Sequence, residues 1–559
     1  DHVLASGTGG AGQPESGTRG DSPPENAAVP GEIVEELPTL RCLGVRWLIG
    51  GDANRNARIA VGYRRQGSAE WTPARDLFRV DSAGMREAVR PPADQTLYAG
   101  SVFGLDEGTA YELQLSLTDP DGGSCQRIIP LTTWAEPRLA QDNPPTEVGP
   151  DQLAAALDAV QPGQTLRLQA GTYRGPWRWK SGTPERPIGI VAASEGEVVL
   201  DGQGGGNVIG ASELHDVVFE GLVIRNATWG IAVNGGARIT VRRCTITDVE
   251  NGIVAQRDGA RQQRFFLADN LITGRATWPR SRGIEERGGI RIGGRGHVVC
   301  YNRIRGFADA ISVHPAYPCA AIDIYGNEIS ECTDDGIEMD GSEHNTRCFE
   351  NRLTNVFQGI SLQPVHGGPV YVFRNALYNV AVETFKLHNG PSGGLLLHNT
   401  SVKAGMPWEL LSGTPVSNCL SRNNLLVGTQ ANYAFENLAP MDGCDFDFDG
   451  FAGRWKLLLK WNGVRFAAAD DVRWTAPVYR HLVVVDSPAL FASGVTAPDD
   501  SARAVAPRVN DLRLAADSAA VDAGCPLPNI NDGFGGSAPD LGAYELGQPL
   551  PHYGPRAAD

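Results

Sequence analysis

Asn302-Arg303-Ile304-Arg305, Asn327-Glu328-Ile329-Ser330, Asn351-Arg352-Leu353-Thr354, Asn375-Ala376-Leu377-Tyr378 and Asn399-Thr400-Ser401-Val402 open five segments of one pattern, and Asn423 opens a sixth. The six asparagines stand 25, 24, 24, 24 and 24 residues apart. About nine residues after such an opening, a Gly-Ile type of step starts another strand, at Ile231, Ile253, Ile290, Ile311, Ile337 and Ile360. Strands this closely spaced leave no room for a helix between them, and the leucine spacing of other solenoids is missing. The period is that of one turn of a parallel β-solenoid with about 24 residues per coil. Stacked asparagines at a recurrent bend satisfy the backbone that the bend leaves unpaired, so this ladder is read as structural.

The stacking register also predicts a surface. Strand residues alternate faces, and each coil rises about 4.8 Å, so equivalent positions form outward columns. One column reads Ala232, Val254, Arg291, Ser312, Glu338, Ser361, Lys386. The other reads Asn234, Gln256, Gly293, His314, Asp340, Gln363, His388. Early rungs are bland, whereas Arg291 to His388 concentrates charge. Asp309 and the pair Asp334-Asp335 stand just before the same strands. Paired carboxylates hold a proton near neutral pH, which suits a general acid, and a nearby Lys keeps a second carboxylate ionised. As ordinary structure, Asp334-Asp335-Gly336 is a solvated bend.

Outside the repeat, residues 1–37 form an expected flexible tail, with seven Gly, four Pro and three Ser in residues 1–31. Residues 38–137 alternate short strands and turns, as in a small β-sandwich. Residues 148–430 carry the solenoid, opened by an amphipathic helix from Pro150 to Val160. Residues 431–559 are expected to leave the register near Asp442 and pack back on the coils. The 49 basic and 65 acidic residues give a net charge of −16, with five Lys, which argues against nucleic acid as a partner. No stretch is apolar enough to span a membrane. The opening at Asp1 reads as a mature, exported chain whose signal peptide has been removed, hence secreted or at the cell surface. Ten scattered cysteines suit either disulfides or small apolar filling.

Resemblances sharpen these expectations. Gly104 to Leu113, with Tyr111, resembles the tyrosine corner of fibronectin type III domains. The helix and the repeat resemble right-handed parallel β-helix proteins of the pectate-lyase-like superfamily. The stretch from Ser518 to Glu545 resembles a C-terminal signature of secreted bacterial β-helix proteins. Asp309-Ala310-Ile311, Asp334-Asp335-Gly336-Ile337 and Lys386-Leu387-His388 resemble the vertical order of carboxylates and basic residues in polygalacturonase-like glycosidases, which hydrolyse uronan chains with inversion. Gln358 replaces that family's His, and Lys/His replaces its Arg/Lys pair.

The resemblance implies a polysaccharide hydrolase acting on an acidic chain. Asp309, Asp334, Asp335, Glu338, Lys386 and His388 are its candidate catalytic residues, and Arg291, His314, Asp340, Gln363 and Trp408 its substrate contacts. Trp229, Trp278 and Tyr317 are further stacking candidates. Register allows carboxylates roughly 5 to 10 Å apart, a window that includes the inverting range. The chondroitinase-B and alginate-lyase group gives a second reading. There, calcium on Asp335, Glu338 and Asp340 assists Lys386 or His388 as a base, although that group's Lys and Arg positions fall here on Asp340 and Gln363. The hydrolase itself requires no cofactor. A third reading is a surface or matrix protein that self-assembles into an oligomer or filament through residues 1–31.

Overall fold

The computed structural model describes residues 26–257, 261–313, 319–487, 489–506 and 510–557. Two long sheets wind along the chain. One has 13 strands and runs from Thr146–Val148 to Asp445–Phe446; the other has 18 and runs from Gly171–Arg174 onward. Successive coils pair in parallel, for example Val298–Cys300 with Asp323–Tyr325 and Thr346–Phe349 with Val370–Phe373. Between the sheets lies a continuous stripe of Ile, Val, Leu and Phe. The helix Leu153–Ala159 closes the first coil, with Leu153 and Leu157 buried in that stripe.

The asparagine ladder lies inside the coil and is longer than the repeat suggested. It begins at Asn270 and passes through Asn302, Asn327, Asn351, Asn375 and Asn399. Each Asn donates its backbone N–H and its Nδ2 to the Oδ1 of the next, as Asn327 does to Asn351 at 3.1 and 2.9 Å. From Asn399 the ladder passes to Asn424 and not to the expected Asn423, which bonds instead to His398 and the carbonyl of Cys525. It ends on Asp449, an acceptor-only group that takes both donors of Asn424. Burial pushes the Asp449 carboxyl up to about 6. An Asn351→Ala variant would take the acceptor from the Asn327 N–H and Nδ2, and the Nδ2 donor from the Ile324 carbonyl. The expected loss is about 3 kcal/mol, read as a lowered denaturation midpoint, with a clear drop also at neutral pH.

The chain stays in register beyond residue 430. Asp445–Phe446 pairs with Leu420–Ser421, and Gly450–Trp461 pairs in parallel with Leu425–Asn437, so the expected exit at Asp442 is displaced by a further coil. Later residues do fold back. Phe491, Leu512, Leu514, Leu541 and Tyr544 pack on Ala376, Tyr378, Val402 and Leu425.

Before the solenoid, two four-stranded antiparallel sheets enclose Trp47, Ile59, Tyr98, Leu113 and Leu115. Val29–Glu35, expected as tail, is the first of these strands, paired with Leu43–Gly50. Residues 1–25 lie outside the described residues. The Tyr111 hydroxyl accepts the Asp106 N–H at 3.0 Å, which closes the corner. This unit docks on the outward side of the 13-stranded sheet, where Tyr325, Phe349 and Phe373 stack about 5 Å apart under Phe103. Arg347 and Asp323 pair at 2.7 Å beneath it, both fully buried, and Thr39 donates to Asp323 at 2.6 Å. None of the ten cysteines forms a disulfide, and seven are buried. Among the described residues no helix is long and apolar enough to cross a membrane.

Candidate functional site

The predicted column is present. Ala232 pairs with Val254, Val254 with Arg291, Arg291 with Ser312, Ser312 with Glu338, Glu338 with Ser361 and Ser361 with Lys386. The isoleucines beside them are buried, which fixes the column on the outer face. In the second column a bulge pairs Asn234 with Arg257 and not with Gln256. His314 and Tyr317 lie outside the described residues, as does the Gln256 side chain.

Two positions before each isoleucine runs a second set of neighbours. Asp309 stands next to Gly288, and Asp335 next to Gln358. Glu383 follows two residues before Phe385, which pairs with Ile360. Oxygens of Asp309, Asp334 and Asp335 all lie within 4.8 Å of one another. The Asp335 N–H donates to Asp309 Oδ1 at 3.1 Å, and Lys386 Nζ reaches Asp335 Oδ2 at 3.1 Å and Oδ1 at 3.3 Å. Lys386 belongs to a strand two coils further on. It reaches back because the intervening rung is Ser361, small and wholly buried.

The electrostatics follow from this crowding. Burial, with Glu338 and Asp335 nearby, drives the Asp309 carboxyl well above its ordinary value. Burial raises Asp335 to about 7, although Lys386 pulls the other way. Asp334 is raised by burial and restrained by Lys386 and Arg280. Asp340 is lifted to about 8 by burial and by Glu338. Burial alone would lower the Lys386 ammonium, but Asp335 beside it wins and the net shift is upward. The cluster therefore keeps protons at neutral pH while its lysine stays charged.

Other expectations change. Trp408 is not a sugar platform: it is fully buried and stacks on Phe435 at 4.5 Å, because its strand turns the indole inward. Of the calcium trio Asp335, Glu338 and Asp340, the structure brings only Asp335 into a carboxylate group close enough to share a cation, and its companions there are Asp309 and Asp334. Asp335 is held by Lys386, and Asp340 Oδ1 accepts from the Ser361 hydroxyl at 2.8 Å and the Gln363 N–H at 2.6 Å. Gln363 contributes that backbone contact. His388 turns to Glu383, with Nε2 2.9 Å from its carboxylate. The ion pair with Asp335 shifts the Lys386 ammonium upward, which works against its use as a base. Glu383 was missed in the sequence because its coil reads Thr384-Phe385 where the others have the Gly-Ile step. Arg280, over the Phe357 ring at 3.9 Å, was missed because it comes from a long insertion between coils.

The model of a right-handed β-helix region matches residues 198–401. The fold is a right-handed parallel β-helix. Similar solved structures include an alginate lyase from Paenibacillus sp. str. FPU-7, at 17% identity over 56% of this chain and 97% of that one, with a TM-score of 0.32. The catalytic domain of a GH87 α-1,3-glucanase in complex with nigerose is 14% identical over 77% and 82%, with a TM-score of 0.30. A purple acid phosphatase from yellow lupin is 15% identical over 26% and 29%, with a TM-score of 0.16. No curated protein matches the sequence. At this degree of similarity none of these structures assigns a chemistry.

Proposed function

We propose that the protein is a secreted or cell-surface enzyme that hydrolyses an acidic polysaccharide on the outer face of its 18-stranded sheet. One observation supports this most: three carboxylates within 4.8 Å of one another, largely withdrawn from water, share a face with one charged lysine. Asp335, held near 7, donates the proton to the leaving glycosidic oxygen. Asp334, under the fields of Lys386 and Arg280, faces the positive charge that develops at the anomeric carbon. Asp309 carries the remaining proton and orients Asp335 through its N–H. The triad spacing is shorter than the about 6.5 to 9.5 Å of an inverting pair. Inversion therefore requires a carboxylate outside the triad, and half-buried Glu338 on the neighbouring column is the nearest in register.

The His388–Glu383 pair favours a second reading. A carboxylate-oriented imidazole is suited to abstract the proton beside a uronate, which makes His388, and not Lys386, the base of a lyase. One experiment separates the two. Polygalacturonate, alginate and a neutral β-glucan are incubated with the full chain, with and without EDTA, while reducing ends and the ultraviolet absorbance of unsaturated uronates are followed. Reducing ends without absorbance, falling as pH rises through about 7 where Asp335 deprotonates, are the expected result. Absorbance lost in His388→Ala would replace hydrolysis by elimination. Loss of activity in EDTA would restore a metal requirement.

A further inference from the structure

The outer face does not end at the carboxylates. Gly288 pairs with Asp309, Asn251 aligns with Gly288 through the pairing of Ile253 with Ile290, and Trp229 pairs with both Asn251 and Asn207. Trp229 therefore stands in the same row as the catalytic carboxylates, three coils before Asp309 and four before Asp335. At about 4.8 Å per coil this is roughly 14 to 19 Å. Over that stretch the face opens into a cavity of about 800 Å³, lined among others by Asn207, Trp229, Glu250, Asn251, Arg287 and Arg291.

Three features of this cavity have no structural use. Trp229 is 37% exposed, a large indole left in water on a sheet face whose neighbouring rungs are small. Among the described residues neither Arg287 nor Arg291 has a carboxylate partner. Arg291 Nε is buried with no hydrogen-bond acceptor, so a donor already withdrawn from water points to a group that the protein does not supply. The charges are also ordered along the axis. The arginines lie toward the triad, and Glu250 lies toward Trp229.

We infer that this cavity is a distal subsite for an anionic sugar chain running along the solenoid axis, with Trp229 stacking on one pyranose and Arg291 and Arg287 binding the acidic group of a ring nearer the triad. This deepens the polysaccharide reading and rests on it. An extended pyranose chain advances by about one coil per residue, so a chain that reaches both Trp229 and Asp335 has four to five units, and shorter oligomers miss the indole. Glu250 repels an acidic substituent at the Trp229 end, which places the charged groups at the arginines.

Binding, and not turnover, tests it. Oligogalacturonates and oligomannuronates of two to seven units, with cello-oligosaccharides as the neutral series, are titrated calorimetrically into the full chain. Affinity for the acidic series is expected to rise about tenfold between the trimer and the hexamer. That increment disappears in Trp229→Ala, and Arg291→Gln weakens the acidic hexamer about tenfold with the near-ultraviolet circular dichroism retained. A flat length series, equal affinity for cellohexaose, no binding of either acidic series, or a hexamer indifferent to Trp229→Ala overturns the subsite. Turnover that disappears in Asp335→Asn beside a flat length series overturns the subsite alone. Length-dependent binding without turnover of any glycan supports the subsite and overturns the catalytic reading alone.

Discussion

Asp335→Asn is expected to lower turnover of the cleaved polysaccharide by about a hundred- to ten-thousand-fold, the usual contribution of a positioned proton donor. Asn matches Asp in shape and keeps the backbone N–H on Asp309, but it carries no acidic proton at neutral pH. A positioning role alone would leave a residual rate whose pH profile still falls near 7. A lost donor removes that limb of the profile.

Stability gives an independent check. A carboxyl whose folded value is raised from 3.8 to about 7 contributes stability that is fully present below about pH 4 and is lost as pH rises through 7. Asp340, raised to about 8, and Asp449, raised to about 6, act in the same direction. The wild-type melting temperature should therefore decline between pH 4 and 8. Asp335→Asn should flatten part of this decline, measured by thermal melts at pH 5 and pH 8. A slope unchanged by the substitution would show that Asp335 is not the buried titrating group.

The second large effect lies on the opposite sheet. Arg347→Ala is expected to cost about 3 to 5 kcal/mol, because it leaves the Asp323 carboxylate buried without its cation. Asp323 also accepts from Thr39, which joins the N-terminal sheets to the solenoid, and Arg347 Nη1 lies 3.3 Å from the Ser101 hydroxyl. Loss of the pair should loosen the whole docked unit, with earlier proteolysis near residues 37–42 and a lower denaturation midpoint. The Arg347→Met, Asp323→Leu double variant should recover most of the loss, since two apolar groups leave no charge to compensate. A cost below about 1 kcal/mol for Arg347→Ala would mean that water reaches Asp323.

The coil and its outer column were legible in the sequence because two periods had to agree. Buried isoleucines recur every coil, strand residues alternate by two, and a one-residue slip would have buried Glu338 and Lys386 in an apolar core. That constraint alone placed Arg291, Ser312, Glu338, Ser361 and Lys386 in a single row. It weakens where the marker residues change. Asn423 and Asn424 are adjacent, so spacing could not say which one points inward, and the stacking on Asn399 and Asp449 decided it. Trp408 lies in a coil without a Gly-Ile step, and only its packing between Phe385, Phe435 and Phe446 turned it inward. Contacts between columns were beyond the sequence altogether. Lys386 reaches Asp335 across two coils, Asp340 is captured by Ser361 and Gln363, and Glu383 takes His388, because side-chain length and direction, which no periodicity encodes, determine which neighbours meet. Local pattern therefore determined the scaffold and the rows it displays, and the three-dimensional packing of those rows decided which charges are shared and which are left free for a ligand.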